Sequence, residues 1–150
     1  MYNRLFMEEH KPKVVASGRV AIAVAKYPAS TGFQSVVGYE SVVVEIMAHD
    51  LTSAITLQVQ QDTSATQTAG IKNLTGAVVT VPADGDDKIY TIEFQVNELD
   101  INNGYKYITI DASGAAGSDD YLTIQIILRN PTKMPVTQDA SVAQMVNVVG

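Results

Sequence analysis

The groups in this chain best suited to chemistry are two histidines, His10 and His49, and 16 carboxylates. His49 stands beside Asp50, which would supply half of a triad's base pair. No glycine-framed serine accompanies it, and the chain has no cysteine. His49 therefore reads as a strand-end residue. Two distant histidines without cysteine do not make a zinc set. Asp84, Asp86 and Asp87 cluster in one stretch, and Asp119 and Asp120 in another. Oxygen-rich loops can hold calcium, but the EF-hand register and its closing bidentate Glu are missing, so these acids read as solvated turn residues. A glycosidase pair needs two carboxylates facing each other across a cleft, which no spacing here fixes. Gly114 and Gly117 are followed by neither a helix nor a Lys-Ser/Thr pair, so they do not form a phosphate cradle. The expectation is a non-enzymatic chain with no catalytic, cofactor-binding or metal-binding residues.

Composition narrows the class of partner. At 150 residues the chain fits one domain that can bury a core without metals or crosslinks. Charged residues make up 17%, below the usual roughly 25%. Thr, Ser, Gln, Asn and Ala take their place. Lys and Glu carry more rotamer entropy to lose on contact, so a charge-poor surface suits assembly, or else a plain Thr-rich β surface. The net charge of −6, with the basic residues scattered, argues against a nucleic-acid partner. No apolar run reaches the length of a membrane-spanning helix. The first ten residues carry Glu8 and Glu9 where a signal peptide needs an apolar run, so the expectation is synthesis and retention in a cytoplasm. The lack of cysteine fits that compartment.

The elements that must position any site follow a period of two. Val42, Val44 and Ile46 alternate with Ser41, Val43 and Glu45. Ile55, Leu57 and Val59 alternate with Thr56, Gln58 and Gln60. Tyr90, Ile92, Phe94 and Val96 alternate with Thr91, Glu93 and Gln95. Ile108 and Ile110 stand between Tyr107, Thr109 and Asp111. Leu122, Ile124, Ile126 and Leu128 alternate with Tyr121, Thr123, Gln125 and Ile127. Successive strand side chains point to opposite faces, so each run carries one apolar face, as in antiparallel sheets packed on one side. Val14 to Val24 and Leu74 to Val81 are shorter candidates. Asp84-Gly85-Asp86-Asp87, Asn102-Asn103-Gly104 and the stretch from Ser113 to Asp120 supply turns between runs, and Asp62 to Gly70 a longer loop. At most one helical turn is expected, over Asn97 to Asp100. The fold class is all-β: an antiparallel β-sandwich of jelly-roll type over residues 14–130, with an N-terminal arm (1–13) and a C-terminal tail (131–150).

Contact residues are sought on the outward phases and at the two ends. Tyr105, Tyr107 and Tyr121 fall on outward phases, where tyrosine serves either as a contact residue or as a cross-strand stabiliser. Tyr2, Leu5, Phe6 and Met7 give the arm an apolar character. Met134, Val136, Met145, Val146 and Val148 do the same for the tail. Pro131 and Pro135 favour an extended path there. The last run fits a helical spacing as well as an alternating one. An apolar tail docks on its own domain or on a neighbouring subunit.

Three stretches carry a resemblance: "SVVVEIMAHDLTSAITLQVQQDTSA", "TIEFQVNELDINNGYKYITIDASG" and "YLTIQIILRNPTKMP". Together they resemble the jelly-roll or β-sandwich capsid decoration (cement) proteins of tailed bacteriophages, over the central and C-terminal three-fifths of the chain. The match is a pattern of strands and loops, not an invariant motif. The resemblance implies a virion structural protein on the outer capsid surface, made in the host cytoplasm. It implies the major capsid protein and other copies of this chain as partners, with a homotrimer favoured. It brings no catalytic residue with it. The alternatives are another phage neck, tail or receptor-binding β-sandwich module, or a small carbohydrate-binding β domain.

Overall fold

The alternating runs become strands, and their apolar phases meet. The computed structural model describes residues 10–17, 21–114, 119–133, 137–140 and 142. Its strands are β1 (His10–Ala16), β2 (Lys26–Tyr27), β3 (Gln34–Ser35), β4 (Tyr39–Asp50), β5 (Ile55–Asp62), β6 (Lys72–Val81), β7 (Ile89–Gln95), β8 (Tyr107–Gly114) and β9 (Tyr121–Pro131). One sheet has the order β1-β9-β4-β7 and the other β2-β8-β5-β6, with β3 also on β8. All pairings are antiparallel. Lys26 and Tyr27 pair with Asp111 and Ile110, and Gln34 and Ser35 with Ile108 and Tyr107. β2 and β3 are thus two pieces of one interrupted strand. Counted as one, they leave two four-stranded layers between which most connections cross, which is a jelly roll.

The two central pairs hold the core. In β4 and β9, Val42 faces Leu128, Val44 faces Ile126, Ile46 faces Ile124 and Ala48 faces Leu122. In β5 and β8, Leu57 faces Ala112 and Val59 faces Ile110. All of these are buried. A slip of one residue in β4 would put Val43, Glu45 and Met47 inside instead, so burial fixes the register. Of the inward residues read from the alternation, Tyr90 and Val96 alone are half-buried, one near the start of β7 and one just past its end.

Three local expectations change. β1 begins at His10, so residues 10–13 belong to the sheet and not to an arm, and it stops at Ala16 instead of running to Val24. The pattern hid it because Lys11 and Lys13 pair with Leu128 and Ile126 on the core-facing phase of an edge strand that also holds Pro12. Inward charge and proline on an edge discourage pairing with other chains. Second, Asn102-Asn103-Gly104 makes the expected turn, but in 3₁₀ form. It ends a 3₁₀ turn (Ile101–Asn103), and Gly104 alone takes positive φ, at 83°. A first 3₁₀ turn covers Val96–Glu98. Third, two turn acids are not solvated. The buried Asp120 carboxylate accepts hydrogen bonds from the Thr52 amide (2.5 Å), the Thr52 hydroxyl (2.9 Å) and the Ser53 amide (3.2 Å), while Asp86 accepts from the Leu51 amide at 2.8 Å. Both acids satisfy the backbone of the β4–β5 connection, which would otherwise be left with unpaired donors.

The outer face of the second sheet is polar and internally bonded. Lys26 Nζ donates to Asp111 Oδ1 at 2.8 Å and also to Gln60 Oε1, and Gln60 Nε2 donates to Asn73 Oδ1 at 2.9 Å. Because Ile126 is fully buried in the central pair, Ile126→Ala is expected to cost about 2–5 kcal/mol. Urea unfolding should show a lower midpoint at an unchanged slope. A loss under about 0.5 kcal/mol, the range of ordinary surface substitutions, would show that β9 is not at the centre of the core.

Candidate interaction surface

The strand directions give the sandwich two ends, and the outward tyrosines divide between them. Tyr121 pairs with Asp50, where β4 ends and β9 begins. Tyr107 pairs with Asp62, where β5 ends and β8 begins, and Tyr105 lies two residues earlier. Tyr105 and Tyr107 therefore share one end while Tyr121 stands at the other. All three are half-buried.

A buried acid organises the Tyr105 end. The Asp62 carboxylate is fully buried and accepts hydrogen bonds from the amides of Thr63 (2.7 Å), Ser64 (3.4 Å) and Thr68 (2.8 Å) and from the Thr68 hydroxyl (2.7 Å). Burial pushes its pKa upward, but the hydrogen bonds from Thr68, Thr63 and Ser64 outweigh that and hold it below the ordinary carboxylate value. Its main-chain carbonyl accepts from the Lys106 amide at 3.1 Å. The 62–70 loop, expected from its Thr, Ser and Ala content, is thus wound around one carboxylate. Gly70 O in turn accepts from Tyr105 Oη at 2.7 Å.

Tyr105 is held from its other side as well. Lys72 Nζ lies 4.2 Å from the ring centroid and bonds Asp100 Oδ2 at 2.5 Å. Asp100 also accepts from Asn103 Nδ2 at 2.9 Å. The Lys72 hydrogen bond, followed by that from Asn103, lowers the Asp100 pKa, and the Asp100 hydrogen bond raises that of Lys72. The Asp100 amide donates to Gln61 Oε1 at 2.8 Å. Through these contacts the 3₁₀ turns after β7 are tied to β5 and β6 of the opposite sheet.

Beside Tyr105 lies an open apolar cleft of about 270 Å³, walled by Val37, Tyr39, Val96, Ile101 and Tyr105 with Lys106 at its margin. Val37 is 62% exposed and Ile101 51%, values that mark apolar side chains presented to solvent. The backbone behind them is fixed. The Val36 amide donates to Lys106 O (3.0 Å), Tyr39 N–H to Val36 O (3.2 Å) and Thr132 N–H to Gly38 O (2.8 Å), with Gly38 at φ 86° to make the turn. Two further hollows adjoin the cleft. One, of about 430 Å³, includes Glu40, Gln95 and Asn97 and shares Tyr39, Val96 and Ile101 with it. The other, of about 410 Å³, includes Lys11, Pro131, Lys133 and Thr137 and shares Val37, Gly38 and Tyr39. These two share Tyr39 alone with each other, so the apolar cleft lies between an acidic lobe and a basic one. Burial raises the pKa of the Tyr39 phenol at their junction.

The outward-phase reading reached Tyr105 but missed Val37, Tyr39, Ile101 and Lys106. Ile101, an apolar residue inside an otherwise polar turn, was the available signal. Tyr2, Leu5, Phe6, Met7, Met134, Val136, Met145, Val146 and Val148 lie outside the described residues. His49 is exposed and its Nε2 contacts Thr123 Oγ1 at 2.7 Å on the neighbouring strand, so it stands as a cross-strand residue. Among the described residues, no three His, Asp or Glu side chains gather where they could hold a metal ion.

No protein family's sequence profile matches the chain, and no curated protein matches it. Among solved structures, it is similar to the coat protein of Tobacco streak virus, with 9% identity and a TM-score of 0.40, over 96% of this chain and 100% of that one. At that identity and score the likeness carries no functional argument.

The Asp62 clamp has a defined pH dependence. A carboxyl whose folded pKa lies below its unfolded value of about 3.9 contributes stability that is fully present above that value and is lost as pH falls through the lower folded one. Asp62→Asn is therefore expected to lower stability at pH 7 by about 1.5–3 kcal/mol and to flatten the decline below about pH 4. Denaturant midpoints between pH 3 and 7 check both. Parallel acid curves for the two proteins would mean that Asp62 is not a source of the decline.

Proposed function

We propose that this chain is a virion structural protein: a capsid decoration (cement) subunit of a tailed bacteriophage. It binds the outer capsid surface as a homo-oligomer, with a trimer favoured, and braces contacts between major capsid subunits. The observation that carries this reading is the groove around Tyr39, an apolar cleft with charged lobes on a rigid end of the sandwich. Exposed apolar side chains on a hydrogen-bonded frame suit a protein contact, because little order has to be gained on docking. Two features support it: a charge-poor chain, and a jelly-roll strand order of the kind that virion subunits use. The cleft is about 270 Å³, open and mostly apolar, with no histidine or carboxylate among its described walls. That fits adhesion better than turnover.

Both terminal segments leave the sandwich at this end, before His10 and after Pro131. In this reading Tyr2, Leu5, Phe6 and Met7 of the arm, and Met134, Val136, Met145, Val146 and Val148 of the tail, reach neighbouring subunits. Several weak contacts joined in one oligomer multiply through effective concentration. The purified chain is expected to saturate phage shells stripped of their surface proteins at a fixed copy number per capsomer and to raise their disruption temperature. Deleting residues 1–9 or 134–150 should lower occupancy while the sandwich still unfolds cooperatively. Full occupancy after both deletions, or binding to glycans with none to shells, would overturn the proposal.

A further inference from the structure

We infer that the Tyr39 groove is the receptor for the N-terminal arm of a second copy of this chain. The inference rests on the homo-oligomer reading above and names the contact that builds it. Its first ground is the groove's sequence of surfaces: an acidic lobe with Glu40, an apolar centre with Val37 and Ile101, and a basic lobe with Lys11 and Lys133. The residues that precede β1 carry the complementary series in sequence order: Arg4, then Leu5-Phe6-Met7, then Glu8-Glu9. Six extended residues span about 20 Å. Four adjacent strands from β1 to β7 span about 15 Å, which is the width the groove must cross. Arg4 then meets Glu40, the apolar trio fills the cleft, and Glu8 and Glu9 meet Lys11 and Lys133.

The C-terminal run competes poorly for this site. From Val142 to Val149 it is apolar or amide-bearing and has no charge with which to engage either lobe. The choice of a second copy over the same chain rests on the homo-oligomer reading. Val37 and Ile101, 62% and 51% exposed, are the apolar surface that such a contact would cover. An arm passed to a neighbour that returns the same contact gives a closed ring, as segment exchange does in symmetric oligomers.

The natural absence of cysteine makes the test direct. One full-length protein carries Met7→Cys and another Val37→Cys, an exposed position on the cleft wall. They are mixed, allowed to exchange, and treated with a short bis-maleimide. The expected product is a mixed dimer joined through positions 7 and 37, well above either self-linked dimer. Ile101→Asp should abolish that product and reduce native mass to that of a monomer, with the thermal unfolding midpoint almost unchanged. Glu8→Lys with Glu9→Lys should weaken assembly at least tenfold, and Lys133→Glu should restore part of it. A link formed within one chain carrying both cysteines, an oligomer that survives Ile101→Asp, or a monomer at every concentration would each overturn the inference. Shell occupancy, measured separately, tells this failure apart from failure of the capsid reading: monomers that still saturate shells refute the arm exchange alone.

Discussion

The structure depends on the register between β4 and β9. Their ten-position antiparallel pairing places Val42, Val44, Ile46 and Ala48 opposite Leu128, Ile126, Ile124 and Leu122, all inward and all buried. β1 and β7 attach to the flanks of this pair, and the second sheet closes over it. Because strand side chains alternate, the same register that buries these residues sends Ser41, Val43, Glu45 and Met47 to the other face. It also sets where β4 begins. Tyr39 therefore sits at the mouth of the sandwich, beside the exit of β9 at Pro131.

From that mouth, the cleft follows from a shortage of covering chain. At the opposite end, the β4–β5 connection is short and is closed by Asp86 and the buried Asp120. At the Tyr39 end, the chain must travel from β7 to β8 across the gap between the sheets. It does so in two 3₁₀ turns held by Gln61, Lys72 and Asn103. Turns this tight have no room to bury Ile101, so it faces solvent. Together with Val37 on the turn before β4 it leaves apolar surface where the sandwich opens.

The periodic interior was legible in the sequence because burial there depends on side-chain phase alone. The strands centred on Ile46, Leu57, Phe94, Ile110 and Ile126 all lie where alternation put them. What could not be read follows other rules. β1 is an edge strand whose inward phase carries Lys11 and Lys13, so it has no apolar period to detect. Asp62 and Asp120 look like any turn acids, because the burial of Asp120 depends on the distant β4–β5 connection and that of Asp62 on how its own loop closes over it. The site was half legible for the same reason. Tyr105 announced itself as an outward aromatic, whereas Val37, Tyr39 and Ile101 converge only once three separate connections meet. Tyr121 matches Tyr105 in phase but not in place, since phase says nothing about which end of a strand a residue occupies.

The same division bears on where the proposed adhesion would fall. A sandwich presents two sheet faces and exposed strand edges, and each can stick to other chains. Here the outer face of the second sheet is occupied by its own contacts from Lys26 through Gln60 to Asn73. Polar groups already paired in this way have less to gain from a partner than unpaired apolar ones. The β1 edge carries lysine and proline, and Arg129 and Glu93 pair at 2.7 Å across the outer face of the first sheet. Val24, Val78 and Ile89 are exposed singly elsewhere, whereas Val37 and Ile101 flank one apolar cleft and can be removed from water together. Specificity then falls to the charges beside them. Glu40 on one flank and Lys11 with Lys133 on the other impose a direction on whatever segment lies between, because reversing it would set like charges together.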